Sequence, residues 1–568
     1  ANSLLLLDAA GALPPGSRPM SLEAGAYLGF TETAGMSGPG GFRSMLSPSN
    51  FSSLTLDPTA VLGLDSTQFI AGKIENSDSS PTVARFVSDK LDFSQLGPVG
   101  VGTLTKATLL GSLVGQGSGG SRSLRLLGVE GGVLEIRSRV SDVNAASLTV
   151  GGNSLLHADG KVVLAAQNTY TGGTTLVSGT LVAASSQRVV RGAVVSGPLG
   201  LGSVTVPTDA LAPALTAGGF STATLGNNFL LGSRLALGAF DGFTVYNPAS
   251  LTLAGTIGNL SATNSGGLDI YSDVTLRGSN TFSGGVNLYN GVIYLGSSSS
   301  GTAGGPLGTG ALKVLPVAGS YTVGLAALGP QTLANPVVLE VFSPNRFSVF
   351  GTGSLTLSGP VSLNSPVEFY VGSQPLYLTG QISGAGSLGM DYGSVGTLVL
   401  NPSGGANTLT GGVSNYSGRI VFASAAAIPA GSVLAPGSNG YTGYATGYVA
   451  GASFQNNFLA KFDRVDTSGT IGLDTLINGK LALSPTQGTP NLFSDQIDLT
   501  GFTSAVKIGS TSTAVLSGSI TPAFNTYSFG GGGGWLEVSS ALVDIPPGGT
   551  NLSVVSPSSS GSAPLTLR

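Results

Sequence analysis

The sequence predicts an all-β protein of repeat architecture, and three observations carry that expectation. One corner is spelled three times: NTYTGG at 168–173, NTFSGG at 280–285 and NTLTGG at 407–412. Self-similarity of this kind marks a repeat fold and is settled before anything else. The composition agrees: 90 of 568 residues are glycine and 41 % are hydrophobic, while only 9 % are charged. Average chains hold about 7 % glycine and about 25 % charged residues. Disorder needs low hydrophobicity or high charge, so this chain folds. Lastly, short alternating apolar runs are separated throughout by Gly, Asn, Ser or Pro, the pattern of many brief strands rather than βαβ units.

The first corner lies within 161–207, where an alternating strand, the corner, a second strand, a Gly-x-Leu-Gly turn and a third strand follow one another. The arrangement returns at 274–314 and 397–434. Each position of the corner has a physical reading. Asn168, Asn280 and Asn407 can bond their own backbone in an Asx-turn. Gly172-Gly173, Gly284-Gly285 and Gly411-Gly412 permit φ > 0 where a Cβ would clash. Tyr170, Phe282 and Leu409 vary among large apolar groups, so they are expected to fill the interior. Thr and Val then favour extended chain.

A longer register links the two ends. LLLLDAAGALPPG at 4–16 resembles IVFASAAAIPAG at 420–431, and VLGLD at 61–65 parallels TIGLD at 470–474. LDFSQL at 91–96 parallels IDLTGF at 497–502, and GGVLEIRSRVSD at 131–142 parallels GGWLEVSSALVD at 533–544. The offsets lie between about 400 and 420. Residues 1–167 are therefore the end part of a repeat of that length, 168–418 a middle stretch with the three corners, and 419–568 a second copy of the first block. The middle has its own half-repeat, SLTLAGTI at 250–257 and SLTLSGPV at 354–361. The expectation is a segment of a longer repetitive polypeptide. The stretches 16–88 and 431–494 lose strict alternation and read as loop-rich.

Other classes lack their signals. The formal charge is −4 with 23 basic residues, and nucleic-acid binding needs clustered Lys and Arg. The densest basic stretch, Arg122 to Arg139, also holds Glu130 and Glu135 and reads as a solvated strand face. Cysteine is absent, which removes disulfides and thiolate metal sites. No run approaches about 18 apolar residues, so no transmembrane helix is expected. The best helical pattern is Phe454 to Val465, with Phe454, Phe458, Leu459 and Phe462 on one face; Phe42 to Leu46 is its shorter counterpart.

NTYTGGTT followed by SGTLVAAS and LGLGSVTV resembles the autotransporter-associated β-strand repeat, also called the passenger-associated transport repeat, of bacterial surface proteins. NTFSGGVNLYNGVIYLGS and NTLTGGVSNYSGRIVFAS are looser copies, and YSFGGGGGWL at 527–536 resembles a glycine-run element that accompanies such repeats. The clear motifs cover about a quarter of the chain. The resemblance implies a parallel right-handed β-helix (β-solenoid) with loop insertions, secretion, and a passenger or stalk role. It implies no catalytic residues, and the family's C-terminal barrel has no counterpart in the last residues. With coils of roughly 20–25 residues, such a solenoid would have about 23–28 turns.

Chemical constellations are sparse. The one histidine, His157, has no Gly-x-Ser-x-Gly elbow with it. The nearest carboxylate pairs, Glu75 with Asp78 and Asp463 with Asp466, fall in polar loop or helix contexts, whereas glycoside hydrolysis needs a matched pair. Gly530 to Gly534 lacks the Lys-Ser/Thr of a phosphate cradle and reads as close packing. Trp535 matches Val133 in the other copy and reads as a core or seam residue. Tyr289, Tyr294, Tyr441, Tyr444 and Tyr448 could form an adhesive surface. The expectation is a non-enzymatic extracellular structural β-solenoid of a bacterial surface fibre, stalk or sheath, without catalytic, cofactor or metal residues. Its partner would be itself, by self-association or by continuation end to end with further repeats. The alternative is an adhesin passenger binding glycans or host protein.

Overall fold

The computed structural model describes residues 4–7, 18–31, 51–66, 85–88, 90–94, 99–152, 160–218, 222–238, 250–300, 304–317, 322–341, 346–437, 445–449, 458–555 and 565–567. Its strands are short because the apolar alternation is short. In Leu235–Leu237 the two leucines are buried and Ala236 stands outward; Val204–Val206, Ala223–Leu225 and Leu268–Ile270 repeat the pattern. So short a strand holds only when both backbone edges are bonded. Here Leu235–Leu237, Val204–Val206 and Leu268–Ile270 bond parallel to the strand one turn before and the strand one turn after, while Ala223–Leu225, the first of its sheet, bonds Leu251–Leu253 on one edge and the Ser186–Gln187 loop on the other.

Two compact units divide the chain: residues 1–286 with 304–310, and residues 287–303 with 311–568. In the first, ten parallel strands from Leu4–Leu7 to Ile257–Asn259 lie side by side in sequence order. A second sheet runs likewise from Arg85–Val87 to Leu268–Ile270. A third takes in Ala223–Leu225, Leu251–Leu253 and Val274–Leu276. One coil thus reads Ala223–Leu225, Phe229–Leu231, Leu235–Leu237, and visits each sheet once.

The second unit repeats this logic. Phe347–Gly351, Leu355–Leu357 and Val361–Leu363 make one coil; Val367–Val371, Leu376–Leu378 and Ile382–Ser383 make the next, in parallel register. One of its sheets has ten parallel strands, from Gln331–Leu333 to Asn551–Val555. Inward side chains stack like on like. Phe347 and Phe369 meet edge to face at 5.7 Å, and Phe458 stacks on Tyr448 at 5.1 Å. Each such buried side chain contributes about 1.5–3 kcal/mol.

Each unit is therefore a parallel β-solenoid, and the described residues make about 18 turns in all, against the 23–28 expected. The minimal coil does have the expected length: Leu355 pairs with Leu376, and Leu376 with Leu398. Other turns carry insertions, as between Val61 and Gly100 or Gly472 and Gly509. The two terminal blocks match strand for strand. Leu4–Leu7, Tyr27–Phe30, Val61–Leu64 and Gly100–Thr103 follow the same order as Arg419–Phe422, Ala445–Tyr448, Thr470–Leu473 and Lys507–Gly509. The loop-rich stretches 16–88 and 431–494 thus supply rungs of the main sheets.

The expected helix over 454–465 is reduced, in its described part, to a single 3₁₀ turn at Leu459–Lys461, with Phe458 and Leu459 fully buried. The apolar face is real, but the chain leaves helical geometry at Phe462, which is extended and pairs with Leu434. Residues 42–46 and 454–457 lie outside the described residues.

Candidate functional site

Asn168 is fully buried. Its carboxamide oxygen accepts from the Val140 N–H at 2.8 Å, and its NH₂ donates to the Pro198 carbonyl at 2.7 Å. Its backbone exchanges two bonds with Gly197, at 2.9 and 3.0 Å. Asn280 accepts from Ile257 N–H and donates to the Pro306 carbonyl, both at 2.8 Å. Asn407 accepts from Ile382 N–H at 2.9 Å and donates to the Ala427 carbonyl at 2.8 Å. In place of the expected local Asx-turns, each carboxamide staples the preceding coil to the following one. The reason is geometric: an amide offers an acceptor and a donor in opposite directions, and coils one strand spacing apart, about 4.8 Å, present a backbone group to each.

The glycine pair divides its work. The second glycine has positive φ in each corner: Gly173 at 87°, Gly285 at 68° and Gly412 at 84°. The first is needed for close approach. A Cβ on Gly172 would stand 2.7 Å from the Ala146 carbonyl oxygen, and one on Gly411 would stand 2.5 Å from Gly386 backbone; at Gly284 it would strike the Ser265 carbonyl. Tyr170, Phe282 and Leu409 are buried behind the corner. The Tyr170 hydroxyl lies 2.7 Å from Thr174 Oγ1, and burial pushes the phenol pKa well up. Gly200 (φ 67°) and Gly308 (φ 70°) of the next coil lie directly over the Tyr170 and Phe282 rings. The Gly-x-Leu-Gly turn is thus the other half of the lock, a role that only the stacking reveals.

The matching blocks share a buried carboxylate. Asp65 accepts from the Tyr27 hydroxyl at 2.7 Å, Leu104 N–H at 2.8 Å and the Thr103 hydroxyl at 3.1 Å. Asp474, at the equivalent position, accepts through Oδ1 from Thr511 N–H (2.8 Å) and from the hydroxyls of Thr511 (2.6 Å), Ser512 (2.7 Å) and Ser510 (3.3 Å). Its Oδ2 has no hydrogen-bond partner and lies against Gly447. Burial raises the Asp474 pKa against the lowering effect of those donors. Where the first block has Tyr27 in register with Val61, the second has Ala445 in register with Thr470.

A third cluster lies on the outward side of the sheet containing Phe347–Gly351, Val367–Val371 and Leu388–Met390. Arg346 pairs with Asp391 and stands 4.7 Å over the Tyr370 ring. Glu368 lies beside Asp391, and its pKa is raised by burial first, then by Asp391, with Arg346 opposing. Tyr370 meets Phe350 edge to face at 6.3 Å, while Tyr392 and Tyr416 stack at 5.0 Å. The sequence reading missed this group because its members are about one coil apart, and no local window holds them together.

Other candidates fall elsewhere. Tyr448 is buried against Phe458 rather than exposed, because it continues the inward row of its strand. Tyr289 and Tyr294 are half-buried. Trp535 faces outward, half-buried, with Leu536 and Val538 taking the core, so of the core or seam reading the core half is corrected by the strand's alternation. The Arg122–Arg139 face is not simply solvated: Arg125 bonds the Pro58 and Thr59 carbonyls and burial lowers its pKa. Asp463 caps its own loop, accepting from Val465 and Asp466 N–H. Four successive glycines, Gly530–Gly533, have positive φ, and the Gly534 N–H bonds Ser510 O at 2.8 Å. Glu75, Asp78, His157, Tyr441 and Tyr444 lie outside the described residues. Among the described residues no group of three or more His, Cys, Asp or Glu could hold a metal ion, and no helix is long and apolar enough to cross a membrane.

These features define a β-solenoid held by polar staples between coils. No family model, curated protein or solved structure matches the chain.

Proposed function

We propose that the chain is a non-enzymatic structural segment of an extracellular bacterial fibre, stalk or sheath. The observation that carries this is the coil lock, met three times with the same bonding pattern: a backbone N–H of the preceding coil and a backbone carbonyl of the following one. Asn168, Asn280 and Asn407 each use a carboxamide acceptor and a donor to join coil to coil, which stiffens a body along its stacking direction. Three further features support the reading: the doubled strand block, the low charge, and the resemblance of the corners to autotransporter-associated repeats.

Electron microscopy of the protein from its native source, with surface immunogold labelling, tests it. Expected are thin elongated bodies or fibres outside the cell. Compact particles confined to the cytoplasm would overturn it. The adhesin reading is favoured by one observation, the outward group of tyrosines and charges around Asp391.

A further inference from the structure

We propose that the outward cluster of Arg346, Glu368, Tyr370, Asp391 and Tyr392 is a binding site for a neutral glycan. The glycan's hydroxyls would meet the carboxyl pair and the guanidinium, and a sugar C–H face would pack on the Tyr392 ring. The proposal goes beyond the structural role and does not depend on where the solenoid resides.

The coils do not need this group. Phe369 and Met390 already fill the interior of the same strands, and outward positions on neighbouring rungs are occupied by small residues such as Ser348, Gly389 and Ser414. In a chain with 9 % charged residues, two carboxyls within hydrogen-bond reach of each other and of an arginine are a costly arrangement. Such arrangements concentrate at functional sites. The Asp391 side chain is only 10 % exposed and anchors Arg346, whose own side chain is 46 % exposed. The guanidinium has five donors, so those not used by Asp391 can meet a ligand.

The carboxyl pair adds what a sugar needs. Glu368 sits beside Asp391 under the Arg346 guanidinium. Arg346 donates while the Asp391 and Glu368 carboxyls accept, and pyranoside hydroxyls, donor and acceptor at once, meet both. Tyr392, which follows Asp391 in the chain and is 48 % exposed, stacks one ring face on Tyr416 and can offer the other as an apolar surface with a polar edge. A Cβ on Gly393 would stand 3.0 Å from the Tyr370 ring, so the missing side chain keeps that ring in place under Arg346. All these residues sit on or beside strands of a packed sheet, which preorganises them.

The chemistry selects the class. Two carboxyls face one guanidinium already engaged with Asp391 and Tyr370, so an anionic polysaccharide is disfavoured. Cleavage is disfavoured too, because hydrolysis needs carboxyls about 5 Å or more apart, not side by side.

The test is calorimetric titration of the full chain with cellohexaose, laminarihexaose, maltohexaose and β-1,4-galactohexaose, with polygalacturonate as the anionic probe. Expected is saturable binding of at least one neutral hexaose, weakened about tenfold or more by Tyr392→Ala and little changed by Tyr392→Phe. Glu368→Ala, which removes one of the two acceptors, should weaken it as well. The charged and titratable groups packed around Glu368 are Arg346, Asp391 and Tyr370. Unchanged circular dichroism and urea midpoints show that the variants fold. Absence of binding to every neutral hexaose at millimolar concentration, or undiminished binding by Tyr392→Ala, would overturn the proposal. So would binding of polygalacturonate alone, or release of shorter oligosaccharides.

Discussion

Asn168 illustrates how much one side chain can carry. Its carboxamide pairs a backbone N–H of one coil with a carbonyl of another, and neither partner has water to fall back on. Each buried group left unpaired costs about 1–3 kcal/mol, so Asn168→Ala should destabilise the first unit by about 2–4 kcal/mol in urea unfolding. Asn168→Asp, which keeps only the acceptor, should also destabilise. The glycine pair gives a sharper comparison. Gly412 has φ 84° with open space around a Cβ, so Gly412→Ala should cost about 1–2 kcal/mol. Gly411→Ala must displace the backbone of Gly386 and should lower the midpoint further; equal midpoints would refute this division of roles.

Asp474 adds a pH dependence. Its folded pKa lies above the unfolded value, so the folded state holds the proton longer. Stability from this group is present below the ordinary carboxylate range and is lost as pH rises through the raised value. Glu368 slopes the same way, whereas Asp57 and Asp92, whose pKa values are lowered by hydrogen bonds from Thr59 and Ser94, slope oppositely. Asp474→Asn should therefore flatten the fall in stability between mildly acidic and neutral pH, read as urea midpoints across that window.

Among elements, the insertion after Asp474 shows what coil pattern alone does not predict. The antiparallel pair Leu476–Ile477 and Lys480–Leu481 folds back on the outer face of earlier coils. Lys480 Nζ donates to Thr356 Oγ1 at 3.0 Å and stands 3.9 Å from the Tyr377 ring centroid. Leu481 joins Tyr377, Val399 and Val421 in an apolar cluster outside the barrel of the coil. The strap thus covers outward apolar residues that the solenoid itself leaves uncovered. Leu481→Ala should cost about 2–3 kcal/mol and raise amide exchange in 376–378, 397–400 and 419–422 while leaving 204–237 unchanged. Uniform change along the chain would refute the strap's local role. The strap was not legible in the sequence, because its contacts span 104 and 124 residues.

For the molecule as a whole, a solenoid sums nearest-neighbour terms. Damage at one lock should stay local: Asn168→Ala should loosen amide protection around 133–150 and 193–206, and hardly at all in 347–400, by hydrogen exchange. The repeat architecture was legible because stacking like on like leaves self-similarity in the letters, as in VLGLD and TIGLD. The turn count was not, since inserted loops lengthen some coils without disturbing the corners.

By itself the sequence determined the all-β class, the corner positions, and the doubled block, because strand alternation and glycine geometry are local properties. Only the tertiary structure decided that the corner asparagines reach to neighbouring coils and that Tyr448 points inward while Trp535 points out. It also brought Arg346, Glu368 and Asp391 together. Those outcomes depend on which rung lies above which, and register between coils is a property of loop lengths summed over a turn, not of any residue's neighbours in sequence.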